Sequence, residues 1–299
     1  MDKIIITGAT SMIGISLIDE LLKDDCKIFA VIRPNSKKKE KLPQTDRLQI
    51  VECALNSLDS LSELIDDTCD TFYHLAWDGS GRDRNDNLSL QISNVENTLT
   101  AVKVAKVLGC NKFIFAGSQA QYGRCDFAID ENTIPNPSEP YGICKLTAEK
   151  LSRILCNRLD ISHISARIFS VYGKNSRPDA VINQVIEQLT LGKEIALSSG
   201  EQYWDFLYEK DAGRALKLVG YNGSADNAYN IAFGEKKKLK EYLLLLGKIL
   251  DGTKLLKFGD YESDSSKLTN LIADTTKLKD ELNFTPNYSF ADGIKDMLK

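Results

Sequence analysis

IIITGATSMIG, residues 4–14, decides the fold. Three successive isoleucines read as a buried strand, and the helical spacing that begins at Met12 reads as a helix. Gly8 permits the tight turn between them. Gly14 lets the helix lie close to the strand. The start of such a helix presents unpaired N–H groups and the positive end of its dipole, which suit a phosphate. The middle position of this pattern usually favours glycine, because backbone approaches the pyrophosphate there. Ser11 stands in its place. Its Cβ costs clearance, but its hydroxyl can donate to a phosphate oxygen. Gly8, Thr10, Ser11, Met12, Ile13 and Gly14 are therefore candidate contacts to a dinucleotide. A glycine turn alone fits a ligand-free strand–turn–helix equally well. Its place at the first junction of a repeated pattern favours the ligand.

That pattern continues along the chain. Lys27–Ile32, Leu48–Val51, Thr71–Leu75, Lys112–Ala116 and Ile161–Ile168 read as strands. Met12–Lys23, Ser57–Ile65, Leu90–Leu108 and Gly142–Asn157 read as helices between them. Repeated βαβ units imply an α/β fold: a Rossmann-type, doubly wound parallel sheet with helices on both faces. Beyond Val171 the alternation is less regular. Residues 1–171 are predicted to form the dinucleotide-binding domain. Residues 172–299 are read as mainly a smaller α/β substrate lobe, with segments near 202–232 returning to the sheet.

The 299 residues, 42% of them apolar, can bury a substantial core. The net charge of −4 argues against a nucleic-acid partner, which leaves a basic footprint. Seven scattered cysteines with no C-x-x-C, and only two histidines, predict no metal site and reduced thiols. No run of about 18 apolar residues predicts a membrane span. A soluble, cytoplasmic protein is expected.

The end of the second strand discriminates between cofactors. An acidic residue there would bond the adenosine 2′-hydroxyl. The sequence instead reads VIRPNSKKK, residues 31–39. Arg33 can pair with a 2′-phosphate in a fork geometry, with Ser36 and Lys37 close behind. NADP(H) is expected in preference to NAD(H); the alternative is a basic surface loop.

EPYGICKLTAEKL, residues 139–151, places Tyr141 and Lys145 at i and i+4 on one helix face. A free tyrosine, with a pKa of about 10, is a poor acid at neutral pH. A cation beside it favours the phenolate. Lys145 is the expected cation and can also bond a cofactor ribose. Tyr141 could then hand a proton to a carbonyl oxygen. Ser118, in GSQAQYG at 117–123, ends a strand where ligands gather in such sheets. It could hold the same oxygen.

TGATSMIG, HLAW at 74–77, NVENT at 94–98, GSQAQYG, YGICK, ARIFSVYG at 166–173 and GEQYWDFLY at 200–208 occur in this order. Together they resemble the extended short-chain dehydrogenase/reductases, of the epimerase/dehydratase kind that modifies nucleotide-linked sugars. The resemblance covers nearly the whole chain. It implies that Leu55, Leu75, Ala76, Trp77 and Ala116 line the cofactor, with Val171 near the nicotinamide. Ser170 would lie near the substrate diphosphate and Gln119 near the sugar. His74 would be structural, and Asn94 would support the central helix. Helices 90–108 and 142–157 would pair in a homodimer. The sequence departs from the family pattern at Ser11, at Ala54 and at Trp204, where an arginine clamp on the diphosphate is usual. Arg177 or Lys174 could supply that charge, while Trp204 either stacks on a base or sugar or belongs to the core.

Relatives that dehydrate the sugar carry an acid–base pair directly after the serine. Gln119 and Ala120 cannot trade protons. The resemblance therefore implies NADPH-dependent reduction of a nucleotide-linked 4-keto-6-deoxyhexose, feeding surface-polysaccharide synthesis. The alternatives are an NAD-dependent nucleotide-sugar 4-epimerase, a non-catalytic NADP-binding sensor or scaffold, and a reductase of small carbonyl compounds.

Overall fold

The computed structural model describes residues 2–81, 84–260 and 270–299. In chain order the first half runs β1 (Lys3–Thr7), α1 (Met12–Leu21), β2 (Lys27–Ile32), β3 (Leu48–Glu52), α2 (Leu61–Leu64), β4 (Thr71–His74), α3 (Leu88–Val107), β5 (Lys112–Ser118), α4 (Pro140–Arg158) and β6 (Ser162–Ile168). The second half runs β7 (Ser170–Tyr172), α5 (Val181–Thr190), β8 (Ile195–Leu197), β9 (Tyr203–Trp204), β10 (Phe206–Tyr208), α6 (Glu209–Asn222), β11 (Ala228–Ile231), β12 (Lys237–Lys238), α7 (Leu239–Ile249), β13 (Leu256–Phe258), α8 (Thr276–Leu282) and α9 (Phe290–Met297).

Among the described residues, seven parallel strands form one sheet in the order β11-β6-β5-β4-β1-β2-β3. The isoleucine run lies near its middle and is buried on both sides. Ile4 and Ile6 join the layer built from α1, α6 and α8, while Ile5 joins the layer of α2, α3 and α4. This two-sided burial is why β1 is continuously apolar rather than alternating. The order of the strands reverses at β1 and β4. Ligands of open α/β sheets bind at the carboxyl ends of the strands beside such a reversal.

Expected and observed boundaries differ where side chains compete for the backbone. Ser57–Ile65, expected as one helix, is a 3₁₀ segment over Leu55–Ser60 followed by the single turn of α2. Ser57 sits at φ −134° inside it, and the Ser60 hydroxyl bonds the Ser57 carbonyl. After β7 the chain builds a third core. Val185 of α5, Phe206 of β10, Leu243 and Leu246 of α7, and Phe290 and Ile294 of α9 pack together in it. From this region α6 and β11 return to the large sheet, β11 pairing with β6. Among the described residues, no helix is long and apolar enough to cross a membrane.

Gly8 adopts φ +70°, and a Cβ there would meet the backbone of Ala76 at 2.8 Å. At Gly14 a Cβ would lie 2.5 Å from the Gly8 carbonyl oxygen and 2.8 Å from that of Ala9. Both obstacles are backbone and cannot swing away. Gly14→Val is therefore expected to destabilise the fold by about 1–3 kcal/mol, read by urea unfolding, and to weaken dinucleotide binding by displacing α1. Unchanged stability and affinity would contradict this packing.

Candidate active site

A cleft of about 630 Å³ opens at the carboxyl ends of the central strands. One end is the turn between β1 and α1, where Gly8, Thr10, Ser11, Met12 and Ile13 form the floor. Ser11 is also the N-cap of α1, its Oγ accepting the Gly14 N–H at 3.0 Å. The serine thus replaces glycine with a cap that holds the helix start in place. Gly14 itself lies beneath the lining, against the Gly8 carbonyl.

At the end of β2 the lining continues through Arg33, Ser36 and Lys38. Lys37, expected here, is not part of it. The 3₁₀ turn Lys37–Lys41 directs the next lysine to the cleft instead. Arg33 is 79% exposed, with Nη1 3.9 Å from an Asp78 carboxylate oxygen. Cys53 and Leu55 line the same end, and Leu75, Ala76 and Trp77 follow β4. His74, just before them, is buried and bridges Thr7 (3.0 Å) and Thr98 (3.3 Å). Burial, helped by the Lys145 charge, pushes its pKa down to about 3. Asn94 clamps both backbone groups of Asp78, each at 2.9 Å.

At the other end Ala116, Ser118, Gln119, Tyr141, Lys145, Val171 and Arg177 line the wall. The Ser118 hydroxyl donates to Gln119 Oε1 at 2.6 Å and accepts from the Ala120 N–H at 3.2 Å. Lys145 is only 4% exposed. Its Nζ donates to the Ala116 carbonyl at 2.7 Å and sits 3.9 Å above the Trp77 ring. Burial lowers its pKa to about 7. Tyr141 packs edge-on against Trp77, ring centroids 6.1 Å apart. Burial raises the Tyr141 pKa, while a hydrogen bond to Ser118 and the charges of Arg84 and Arg177 pull it back. The cations that act on the phenol thus include Arg84, which nothing in the sequence pattern singled out. It lies in the aperiodic loop between β4 and α3, where neither helical nor strand spacing marks a residue.

Two further expected contacts lie elsewhere. Ser170 is paired in β7 opposite Phe206 and is outside the lining. Trp204 is a core residue: it packs with the third core, 6.2 Å from the Phe206 ring, in β9 paired with β12.

Beneath the wall lies a buried polar network that the sequence reading missed. Gln121 Oε1 accepts the Ser118 N–H at 2.7 Å, and its Nε2 donates to Glu149 at 2.7 Å. Glu149 also accepts from Ser165 at 2.6 Å and from Arg167 Nη2 at 2.7 Å and Nε at 3.1 Å. Arg167 Nη1 reaches the Tyr122 hydroxyl at 2.9 Å, which donates to Asn230 at 2.7 Å. Burial pushes the Glu149 carboxyl up. The Arg167 hydrogen bonds and charge, with Ser165 and Gln121, more than reverse this and hold it at about 2.

These features fit a bound dinucleotide: a glycine turn that a Cβ would fill, a helix start open to the cleft, and a desolvated lysine beside a tyrosine. The comparisons agree. The model of the NAD dependent epimerase/dehydratase family matches residues 4–232. The chain belongs to this family. Among its relatives, the uncharacterized UDP-glucose epimerase YtcB of Bacillus subtilis (strain 168) is 29% identical, over 98% of this chain and 95% of that one. CDP-abequose synthase of Salmonella typhimurium is 23% identical, over 100% and 98%. The solved structure of MoeE5 in complex with UDP-glucuronic acid and NAD superposes with a TM-score of 0.86 and 26% identity, covering 98% of this chain and 96% of that one. The family's relatives modify sugar nucleotides, and this chain is an enzyme of their NAD(P)-dependent oxidoreductase type.

Glu149 in its pair has a pKa far below the ordinary carboxylate value of 4.5. Its contribution to stability is complete above that value and is lost as pH falls toward about 2. The buried neutral imidazoles act in the same direction, since His74 and His163 protonate on unfolding below the ordinary 6.5. Glu149→Gln is expected to lose about 3–5 kcal/mol at neutral pH, because it leaves Arg167 buried without its anion. The variant should also show a flatter loss of stability between pH 4.5 and 2. Urea unfolding across pH checks both.

Proposed function

We propose that this protein reduces the C4 keto group of a nucleotide-activated 4-keto-6-deoxyhexose with NADPH. The observation that carries the reading is the wall formed by Ser118, Gln119 and Tyr141. Two hydroxyls can hold and protonate one carbonyl oxygen, while the amide beside them offers neither acid nor base for removing water. The family's dehydratase chemistry is therefore disfavoured. Arg33, Ser36 and Lys38 at the far end of the cleft support a 2′-phosphate.

Gly8, Ser11 and the start of α1 would hold the pyrophosphate, Leu75, Ala76 and Val171 the rings, and Lys145 a ribose. When bound, the nicotinamide supplies the hydride. Ser118 orients the substrate carbonyl oxygen. Tyr141 donates the proton to that oxygen as negative charge develops on it. Lys145, whose pKa burial lowers to about 7, stabilises the phenolate left behind. Trp77 and Phe115 keep water from its ammonium, which lies 3.9 and 5.1 Å from their rings.

A second reading is 4-epimerisation with NAD. The likeness to YtcB, described as a UDP-glucose epimerase, and the NAD bound to MoeE5 favour it. A homodimer formed through α3 and α4 accompanies either reading. Leu88 and Ile92 of α3 and Ile143, Leu151 and Ile154 of α4 are all exposed apolar side chains.

The test mixes the protein with NADPH or NADH and a panel of nucleotide-linked 4-keto-6-deoxyglucoses, following nicotinamide absorbance. Consumption of NADPH in preference to NADH is expected. Tyr141→Phe should lower turnover by about 10²–10⁴-fold while keeping NADPH affinity. No consumption, together with interconversion of UDP-glucose and UDP-galactose, would replace the first reading with the second. Indifference of every readout to Tyr141→Phe would instead favour a non-catalytic binder.

A further inference from the structure

The loop between β4 and α3 is stapled at both ends. On one side Trp77 Nε1 donates to Gln91 at 2.8 Å, and Gln91 Nε2 donates to the Gly79 carbonyl at 2.8 Å. On the other, Asn85 accepts the Tyr141 N–H at 3.2 Å and donates to Glu139 at 2.5 Å. Arg84, next to Asn85, is thereby held over the catalytic wall. Its guanidinium carbon is 5.2 Å from the Tyr141 ring centroid, and the residue lines the cleft.

Arg33, Arg153, Arg167, Arg177 and Arg214 each have a carboxylate within ion-pair distance. Among the described residues none lies within that distance of Arg84. Its Nε is buried and has no hydrogen-bond partner among the described residues. A buried N–H of a charged group left unpaired is costly, and native proteins rarely keep one without use. The fold nevertheless spends hydrogen bonds from two helices to fix the loop that carries it. A planar fork of donors aimed into a cleft suits an anionic oxygen group.

We propose that Arg84 is a substrate-binding residue that takes an anionic oxygen group of the sugar nucleotide beside Tyr141. It fills the role left vacant by Trp204. Two parts of such a substrate carry this chemistry: the diphosphate, and a carboxylate on the sugar. The inference rests on the sugar-nucleotide reading, and its test separates the two.

Calorimetry would measure binding of UDP, UDP-glucose, UDP-glucuronate and NADPH to the full chain, to Arg84→Ala and to Arg84→Lys. With Arg84 on the diphosphate, Arg84→Ala weakens the first three alike, by about 10- to 100-fold. With Arg84 on a carboxylate, only UDP-glucuronate weakens by that factor. In both cases NADPH binding is unchanged, and Arg84→Lys recovers part of the loss through its charge. Should Arg84→Ala unfold at assay temperature, Arg84→Lys decides, since losing the fork alone still weakens the same ligands. Equal nucleotide affinities in wild type and variants would overturn the inference and leave the enzymatic reading standing. Weakened NADPH binding alone would overturn it too, by assigning Arg84 to the cofactor. Failure of the wild type to bind any of the three nucleotides would sink the sugar-nucleotide reading, and the inference with it.

Discussion

A single buried carboxylate, Glu149, ties together the parts of the chain that form the proposed catalytic wall. It stands on α4, eight and four residues beyond Tyr141 and Lys145. Its oxygens meet Gln121 after β5, and Ser165 and Arg167 on β6. Gln121 in turn holds the backbone of Ser118. The positions of the serine, the tyrosine and the lysine therefore depend on one carboxylate, paired with Arg167 and Arg153, whose ion pairs none of them joins. Burying such a pair contributes little net stability, because desolvation offsets most of the attraction. Removing one partner is costly, which makes the arrangement all-or-none. A hydrogen-bonded polar network under a cleft fixes one geometry, where apolar packing would allow several.

The wall above that network is built against the preferences of its own groups. Lys145 is held where burial works against its charge, and the Tyr141 phenol is held where burial works against ionisation. Both conditions disfavour the isolated protein; they bring the lysine toward neutral pH but carry the phenol away from it, and Ser118, Arg84 and Arg177 pull the phenol back. Aromatic rings rather than carboxylates surround the ammonium. A carboxylate there would pair with the lysine and oppose the effect of burial on its charge. The cleft lining sets Arg33, Lys38, Arg84 and Arg177 against the carboxylate of Asp78, and this net positive charge suits ligands rich in phosphate.

Much of this was legible in the sequence because it is local. The isoleucine run, Gly8 and Gly14 determine the first strand, turn and helix within a few residues. The spacing of Tyr141 and Lys145 needs only the helical period. What could not be read depends on distant partners. The tight packing of Lys145 under Trp77 and Phe115 joins three segments, and its lowered pKa follows from that burial. Trp204 pairs across β9 and β12 with residues more than thirty positions away, so its choice between ligand and core was open until the third core was seen. Lys38 replaces Lys37 through the phase of one 3₁₀ turn, which a run of three lysines does not reveal. Arg84 was invisible because a loop has no period. Glu149 and Arg167 looked like ordinary charged positions until their common burial was known.

The central claim is that Ser118, Tyr141 and Lys145 form the wall against which a nicotinamide reduces a sugar carbonyl. The most direct measurement supplies NADPH deuterated at the transferable position, with a nucleotide-linked 4-keto-6-deoxyglucose, and reads the product by mass spectrometry and NMR. The account predicts one deuterium per product molecule, at sugar C4, and labelled product formed about 10²–10⁴-fold more slowly with Tyr141→Phe. A product carrying no deuterium, or label that survives in Tyr141→Phe at the wild-type rate, would contradict it.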